Sequence, residues 1–268
     1  MVVYPAIDLR RGRCVRLVQG DPRAETVFSN DPAATALRWA DLGAEWLHIV
    51  NLDGAFGDES AAGDPLANAT RGAYAYRNVA ALRGILGAVA IPVQLGGGLR
   101  SVHDVEAALA LGVRRAIIGT AALQDLDMVQ LAVRRFGSER VAVALDVRDG
   151  RVATHGWQAV SDMTALDLAR RVKEAGVTRV IYTDIRRDGM LTGVNATACA
   201  ELAQASGLDV IASGGVATLA DVERVKQVQS AGVNGIIIGK ALYTGQIDLR
   251  AALALAASTC EPPRAATV

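Results

Sequence analysis

The stretch Ile211–Leu242, IASGGVATLADVERVKQVQSAGVNGIIIGKAL, is written twice in this chain. A short apolar run closes on Ser213-Gly214-Gly215, a helical pattern covers Leu219 to Gln229, and a second apolar run closes on Gly239-Lys240. Gln94–Leu123, QLGGGLRSVHDVEAALALGVRRAIIGTAAL, repeats that order. Gly97-Gly98 precedes Gly214-Gly215 by 117 residues, and Asp104-Val105-Glu106 precedes Asp221-Val222-Glu223 by the same distance. Ile117-Ile118-Gly119 precedes Ile237-Ile238-Gly239 by 120. So long a period does not describe a solenoid; it describes two homologous halves.

Glycine directly after a strand lets backbone N–H groups approach an anion closely, and a following helix N-terminus adds a positive dipole. Two such turns on neighbouring parallel strands form a phosphate cup of the kind found late in (β/α)8 barrels. The candidates are Ser213, Gly214, Gly215, Gly239 and Lys240 in the second half, and Gly97, Gly98, Gly119 and Thr120 in the first. A single turn of this kind is equally well read as a tight βα connection; the correctly spaced pair favours phosphate. One cup per half predicts a ligand with a phosphate at each end.

The rest of the chain fits the halving. Apolar runs at Val2–Ile7, Trp46–Asn51, Ile91–Leu95, Arg115–Ile118, Val141–Leu145 and Arg179–Thr183 join the two in the opening stretch to give eight strands, each followed by a helical pattern. Near-continuous apolar strands alternating with helices predict a parallel sheet buried on both faces. The α/β class follows, with a (β/α)8 barrel of two half-barrels, residues 1–124 and 125–258, in one domain; a doubly wound open sheet is the competing reading. Cys14–Val18 and Val152–Trp157 read as short ribbons, and residues 259–268 as a tail.

Composition narrows the function. Lys+Arg and Asp+Glu both number 28, which argues against a nucleic-acid or membrane surface and leaves anions to local sites. The 51% hydrophobic content supplies a large core with only 4% aromatics. No apolar run approaches a membrane span, and the N-terminus lacks a signal-peptide layout. Three scattered cysteines, Cys14, Cys199 and Cys260, point to a reducing cytoplasm rather than a disulfide framework. The three histidines have no metal-ligand spacing, so neither metal nor cofactor is expected, and a monomer is the expected state.

Barrel chemistry sits at the C-terminal ends of the strands. There the repeat gives Ala6-Ile7-Asp8 against Ala144-Leu145-Asp146, and strand six gives Thr183 with Asp188 in its loop. Two carboxylates on opposite sides of a closed mouth suit a general acid and a general base. A lone aspartate after a strand is as readily a helix cap; two at equivalent places favour catalysis. Thr183 and Asp188 also read as ordinary strand and turn residues. Arg16 and Arg100 are phosphate or carboxamide partners or surface arginines, and Trp157 stacks on a planar ring or fills core. His48, inside strand two, reads as a hydrogen-bonded core histidine, and His155 has no evident partner.

The segments PAIDLRRGRCVRLVQGD, LDGAFG, LGGGLRS, IIGTAAL, VALDVRDGRVATHGW, YTDIRRDGMLTG, IASGGV and IIIGKALY resemble the phosphoribosylformimino-5-aminoimidazole carboxamide ribotide isomerase family of histidine biosynthesis. The resemblance runs to about Ala257. It implies a substrate with two ribose phosphates and an Amadori rearrangement that needs no cofactor or metal. By resemblance Asp8 is the base and Asp146 the acid, Asp188 has a claim to the acid role, and Thr183 orients or polarises. The cyclase of the same pathway is disfavoured because Ala6-Ile7, not Cys-Leu, precedes Asp8, and Arg16 stands where it has lysine. Relatives that also isomerise phosphoribosylanthranilate carry arginine where this chain has His155, two residues before Trp157. A non-catalytic sugar-phosphate binder would not need Asp8 and Asp146. One departure from the family is an insertion at about residues 58–77, carrying Asp58, Glu59, Arg71, Tyr74 and Tyr76, which reads as a lid over the active face.

Overall fold

The structure is a computed structural model that describes residues 1–56, 75–154 and 156–258. Residues 57–74, which carry most of the insertion at about 58–77, together with His155 and the tail at 259–268, lie outside the described residues.

Eight parallel strands close into a barrel: β1 (Val2–Arg10), β4 (Leu47–Asn51), β5 (Val93–Gly96), β6 (Arg115–Ile118), β7 (Val141–Arg148), β10 (Arg179–Asp184), β11 (Asp209–Ser213) and β12 (Val233–Ile238). β12 pairs with β1, and β10 with β7, so no barrel edge is left open. The two seams are equivalent: β12 meets β1 from Val2↔Gly235 to Pro5↔Ile238, and β6 meets β7 from Ala116↔Val141 to Ile118↔Val143. The open-sheet alternative is thereby excluded.

Apolar side chains fill two layers. Tyr4, Ala6, Ile117, Ala142, Ile181, Ile211 and Ile237 pack inside the barrel. Leu9, Leu47, Ile49, Ile118, Leu145 and Ile236 belong to the larger cluster shared with the helices outside. Each fully buried Leu or Ile contributes about 1.5–3 kcal/mol. Helix starts carry the expected caps: Asp31, Thr164, Asn195 and Asp248 each accept from a backbone N–H in the first turn. The repeated aspartate of the Asp-Val-Glu motif has the same task in both halves. Ser101 with Asp104, and Thr218 with Asp221, form reciprocal capping boxes.

Two antiparallel ribbons rise from β1 and β7. β2 (Arg13–Val18) continues β1 and pairs with β3 (Asp21–Ser29); β8 (Arg151–Thr154) continues β7 and pairs with β9 (Ala159–Thr164). Their first turns match closely: Arg11 and Gly12 have φ 53° and 80°, Asp149 and Gly150 53° and 79°. Two consecutive left-handed residues are what a tight two-residue hairpin needs. Both outer ribbon strands escape the sequence reading because their sequences are largely polar and lack a clean alternation. Among the described residues, no helix is long and apolar enough to cross a membrane.

Candidate active site

The C-terminal ends of the barrel strands open into one cavity of about 440 Å³. Asp8, Arg16, Asp146, Trp157, Thr183, Asp188 and both sets of glycine-turn residues line it.

Asp8 leaves β1 opposite Val50 of β4, and Asp146 leaves β7 opposite Thr183 of β10. The pairings correspond between halves, so the two aspartates occupy equivalent places in the barrel. Asp8 is held by Arg16, whose Nη1 donates to Oδ2 at 2.7 Å, while Nη2 donates to the Ala6 carbonyl. Arg16 is therefore the cation of the Asp8 carboxylate, with its guanidinium packed against Gly239. Burial raises the Asp8 carboxyl above the usual range, and the Arg16 charge opposes that rise.

Asp146 has a different shell. The Trp157 indole and the Thr183 hydroxyl donate hydrogen bonds to it, while burial pushes its pKa up. Trp157 does not end a ribbon strand, as the sequence suggests. It sits in the β8–β9 turn with φ 72°, and a Cβ added to Gly20 would lie 2.5 Å from its ring. The indole thus packs against Gly20 in the β2–β3 turn while its N–H reaches Asp146.

Asp188 joins this pair from the loop after β10. Burial and the neighbouring Asp8 and Asp146 carboxylates push its pKa up to about 7, against the pull of Arg16 and Lys240. The loop is pinned by Gln19, whose backbone N–H donates to the Asp188 carbonyl at 3.2 Å and whose Nε2 donates to the Arg186 carbonyl at 2.8 Å. Lys240 Nζ donates to the Gly189 carbonyl at 3.0 Å. The cavity thus holds one aspartate paired to an arginine, one held by two neutral donors, and one carrying a proton near neutrality.

The glycines divide by reason. Gly97 and Gly214 have φ 95° and 91°, and an added Cβ would meet the Asn51 carbonyl oxygen at 2.2 Å and the Asp184 carbonyl oxygen at 2.5 Å. Gly98 and Gly215 are equally confined, by Gly54 and by Gly193. These four are required by backbone packing. Gly119 is not: a Cβ there would meet nothing within 4 Å, yet the residue borders the cavity. Thr120 and Lys240 stand beside Gly119 and Gly239, and Ser213 ends β11. Arg100 is at the rim, with Nη2 on the Gly54 carbonyl at 2.9 Å.

His48 is hydrogen-bonded, as expected of a core histidine, but it also lines the cavity. Its partner Gln94, and Arg115 bonded to Gln94, went unnoticed in the sequence. The available signal was polar residues inside the strands VQLG and RAII, where the pattern calls for apolar ones.

The family model described as "Histidine biosynthesis protein" matches residues 2–248. Curated relatives named 1-(5-phosphoribosyl)-5-((5-phosphoribosylamino)methylideneamino) imidazole-4-carboxamide isomerase align over nearly the whole chain. The one from Methylobacterium nodulans is 51% identical over 95% of this chain and 94% of its own length. That from Trichlorobacter lovleyi is 46% identical over 97% and 100%, and that from Caulobacter vibrioides 47% over 96% and 100%. The barrel, its paired glycine turns and this similarity agree, and the chain belongs to the histidine biosynthesis protein family.

Proposed function

We propose that this protein is an aldose–ketose isomerase of histidine biosynthesis. It converts the N'-(5-phosphoribosyl)formimino aminoaldose to its aminoketose by an Amadori rearrangement, a reading supported by relatives that are named as isomerases of this imidazole-4-carboxamide compound. The observation that carries the reading is a single cavity lined by Asp8, Asp146 and Asp188 between two sets of glycine turns. The substrate is a small molecule with two phosphates. One half, residues 1–124, holds one phosphate on Gly97, Gly98, Gly119 and Thr120; the other, residues 125–258, holds the second on Ser213, Gly214, Gly215, Gly239 and Lys240.

In this mechanism an acid protonates the ribose ring oxygen, the ring opens, and a protonated Schiff base forms. Asp8, whose ionised form is the one Arg16 favours, removes the proton at C2 to give an enolamine. The enol proton returns to the acid and Asp8 delivers its proton to C1, so both groups end as they began. Of the two aspartates with a claim to the acid role, Asp188 has the carboxyl tuned to it. A carboxyl with a pKa of about 7 holds its proton at working pH and gives it up readily. Burial raises the Asp146 carboxyl as well, and the hydrogen bonds from Trp157 and Thr183 oppose that rise and hold it beside the cationic Schiff base. The reading implies a cytoplasmic enzyme, where histidine precursors are made.

The test is conversion of the aminoaldose by purified protein without added metal or nucleotide. Accumulation of the aminoketose is expected; no turnover by folded protein would overturn the proposal. Phosphoribosylanthranilate in the same assay is expected to be turned over poorly or not at all, because His155 replaces the arginine of dual-substrate relatives.

A further inference from the structure

Three polar side chains cross the barrel interior in register. His48, Gln94 and Arg115 are direct cross-strand neighbours on β4, β5 and β6. All three are buried, at 8%, 0% and 4% exposed. Arg115 Nη1 donates to Gln94 Oε1 at 2.9 Å, and Gln94 Nε2 stands 3.0 Å from His48 Nδ1. Behind them, Arg115 Nε donates to the Glu139 carbonyl at 3.2 Å, and its guanidinium lies over the Trp46 ring at 4.4 Å.

Donor chemistry fixes every proton in this row. A guanidinium can only donate, so the Gln94 atom facing it is the amide oxygen. The other amide atom is then the NH₂ group, which also can only donate, and His48 Nδ1 must accept. The imidazole proton is therefore on Nε2. Among the described residues that nitrogen has no hydrogen-bond partner, and His48 borders the cavity. Burial and the Arg16 charge together push the His48 pKa down to about 3, so the ring stays neutral.

The fold does not need the row. The second half builds the same barrel with Ile181, Ile211 and Gly235 at the equivalent places, since Ile181 pairs with Ile211 and Ile211 with Gly235. Ile181 and Ile211 belong to the apolar inner layer. Three buried polar groups that could be two isoleucines and a glycine call for a reason other than closure of the barrel.

We propose that Arg115 and Gln94 act as positioning residues that lock His48 as the neutral Nε2–H tautomer, giving the cavity wall one uncharged donor aimed at a ligand oxygen or imine nitrogen. An uncharged donor adds no second cation beside Arg16, so it leaves the ionised Asp8 paired as it is. The assignment to a sugar-phosphate ligand rests on the isomerase reading; the tautomer does not.

The experiment is long-range ¹⁵N–¹H NMR of histidine-labelled protein, with His48 assigned by loss of its signals in His48→Gln. A protonated Nε2 and a bare Nδ1 are expected throughout the neutral range. In Gln94→Glu a carboxylate accepts from Arg115 and from His48, so the Nδ1 signal should become that of a protonated nitrogen. Kinetically, His48→Leu should lose about tenfold or more in kcat/KM, and His48→Gln, whose amide N–H can stand in for Nε2–H, should recover most of it. A proton on Nδ1 in the wild type, or a Gln94→Glu protein with unchanged His48 signals, overturns the relay. The wild-type spectrum decides this even if a variant fails to fold. Wild-type tautomer signals as expected in a protein without isomerase activity would uphold the relay and remove only the isomerase reading.

Discussion

Arg16 pairs with Asp8 through an Nη1–Oδ2 contact of 2.7 Å, and the same guanidinium donates to the Ala6 carbonyl two residues earlier on β1. The arginine comes from β2, so the ribbon continuing β1 folds back to supply the cation for the carboxylate that ends β1's inward face. In Arg16→Met that carboxylate stays buried without its cation. Its pKa, already raised by burial, rises further, because the largest lowering influence is gone. Asp8 must be ionised to act as base. The acid limb of the kcat/KM profile should therefore move to higher pH by about one to two units, with a loss at neutral pH. An unmoved limb would detach Arg16 from the base.

Asp188 makes a prediction of opposite sign. With a folded pKa of about 7, it acts as acid only while protonated, so activity should fall as pH rises through about 7. Asp188→Asn should remove that alkaline limb and lower kcat by roughly 10²–10⁴-fold. Between its unfolded value and about 7, the folded state holds a proton that the unfolded chain has released. Stability from this group is thus lost as pH rises through that window. Urea unfolding at pH 8 should find Asp188→Asn more stable than the wild type by roughly 1–3 kcal/mol. A variant that is inactive and also less stable would contradict the strained, protonated carboxyl.

The glycine turns separate packing from ligand binding. Gly97→Ala drives a methyl into the Asn51 carbonyl at a positive φ, and should cost well over 1 kcal/mol in chemical denaturation. Gly119→Ala has open space for its methyl and should leave Tm nearly unchanged, yet raise KM about tenfold by intruding where a phosphate docks. Equal effects of the two substitutions on Tm and KM would erase the distinction.

Asp221 is the structural counterpart to these functional aspartates. Burial pushes its pKa up, but N–H groups of Ala217, Thr218 and Val194, with Arg224, outweigh it and hold the carboxyl below its ordinary value. A lowered folded pKa contributes stability that is present at neutral pH and lost as pH falls through the acidic range. Asp221→Ala should cost about 1–2 kcal/mol in urea unfolding, typical of a lost helix cap, with kcat within about twofold. A large kcat loss at unchanged stability would give it a direct catalytic part instead.

The particular residues explain what could be read in advance. The offset of Gly97-Gly98 from Gly214-Gly215 makes the two halves legible, and the apolar runs from Val2 to Ile238 make the strands legible, because both are local patterns. Asp8 and Asp146 are legible because the repeat doubles them at strand ends. By itself, repetition is no sign of catalysis: Asp104 and Asp221 are repeated too, and serve as caps. What stays hidden depends on closure. Gln19 reaching Arg186, Trp157 lying on Gly20, and Asp188 facing Asp8 join loops far apart in sequence. The His48–Gln94–Arg115 row emerges only from strand register, since each residue alone is a polar interruption in an apolar strand.

Turnover of the aminoaldose by wild type and Asp8→Asn side by side, with folding of both verified by circular dichroism, tests the central claim most directly. Efficient conversion by the wild type and a loss of about 10³-fold or more in Asp8→Asn are expected. A wild type that forms no aminoketose, or an Asp8→Asn protein as active as the wild type, would contradict it.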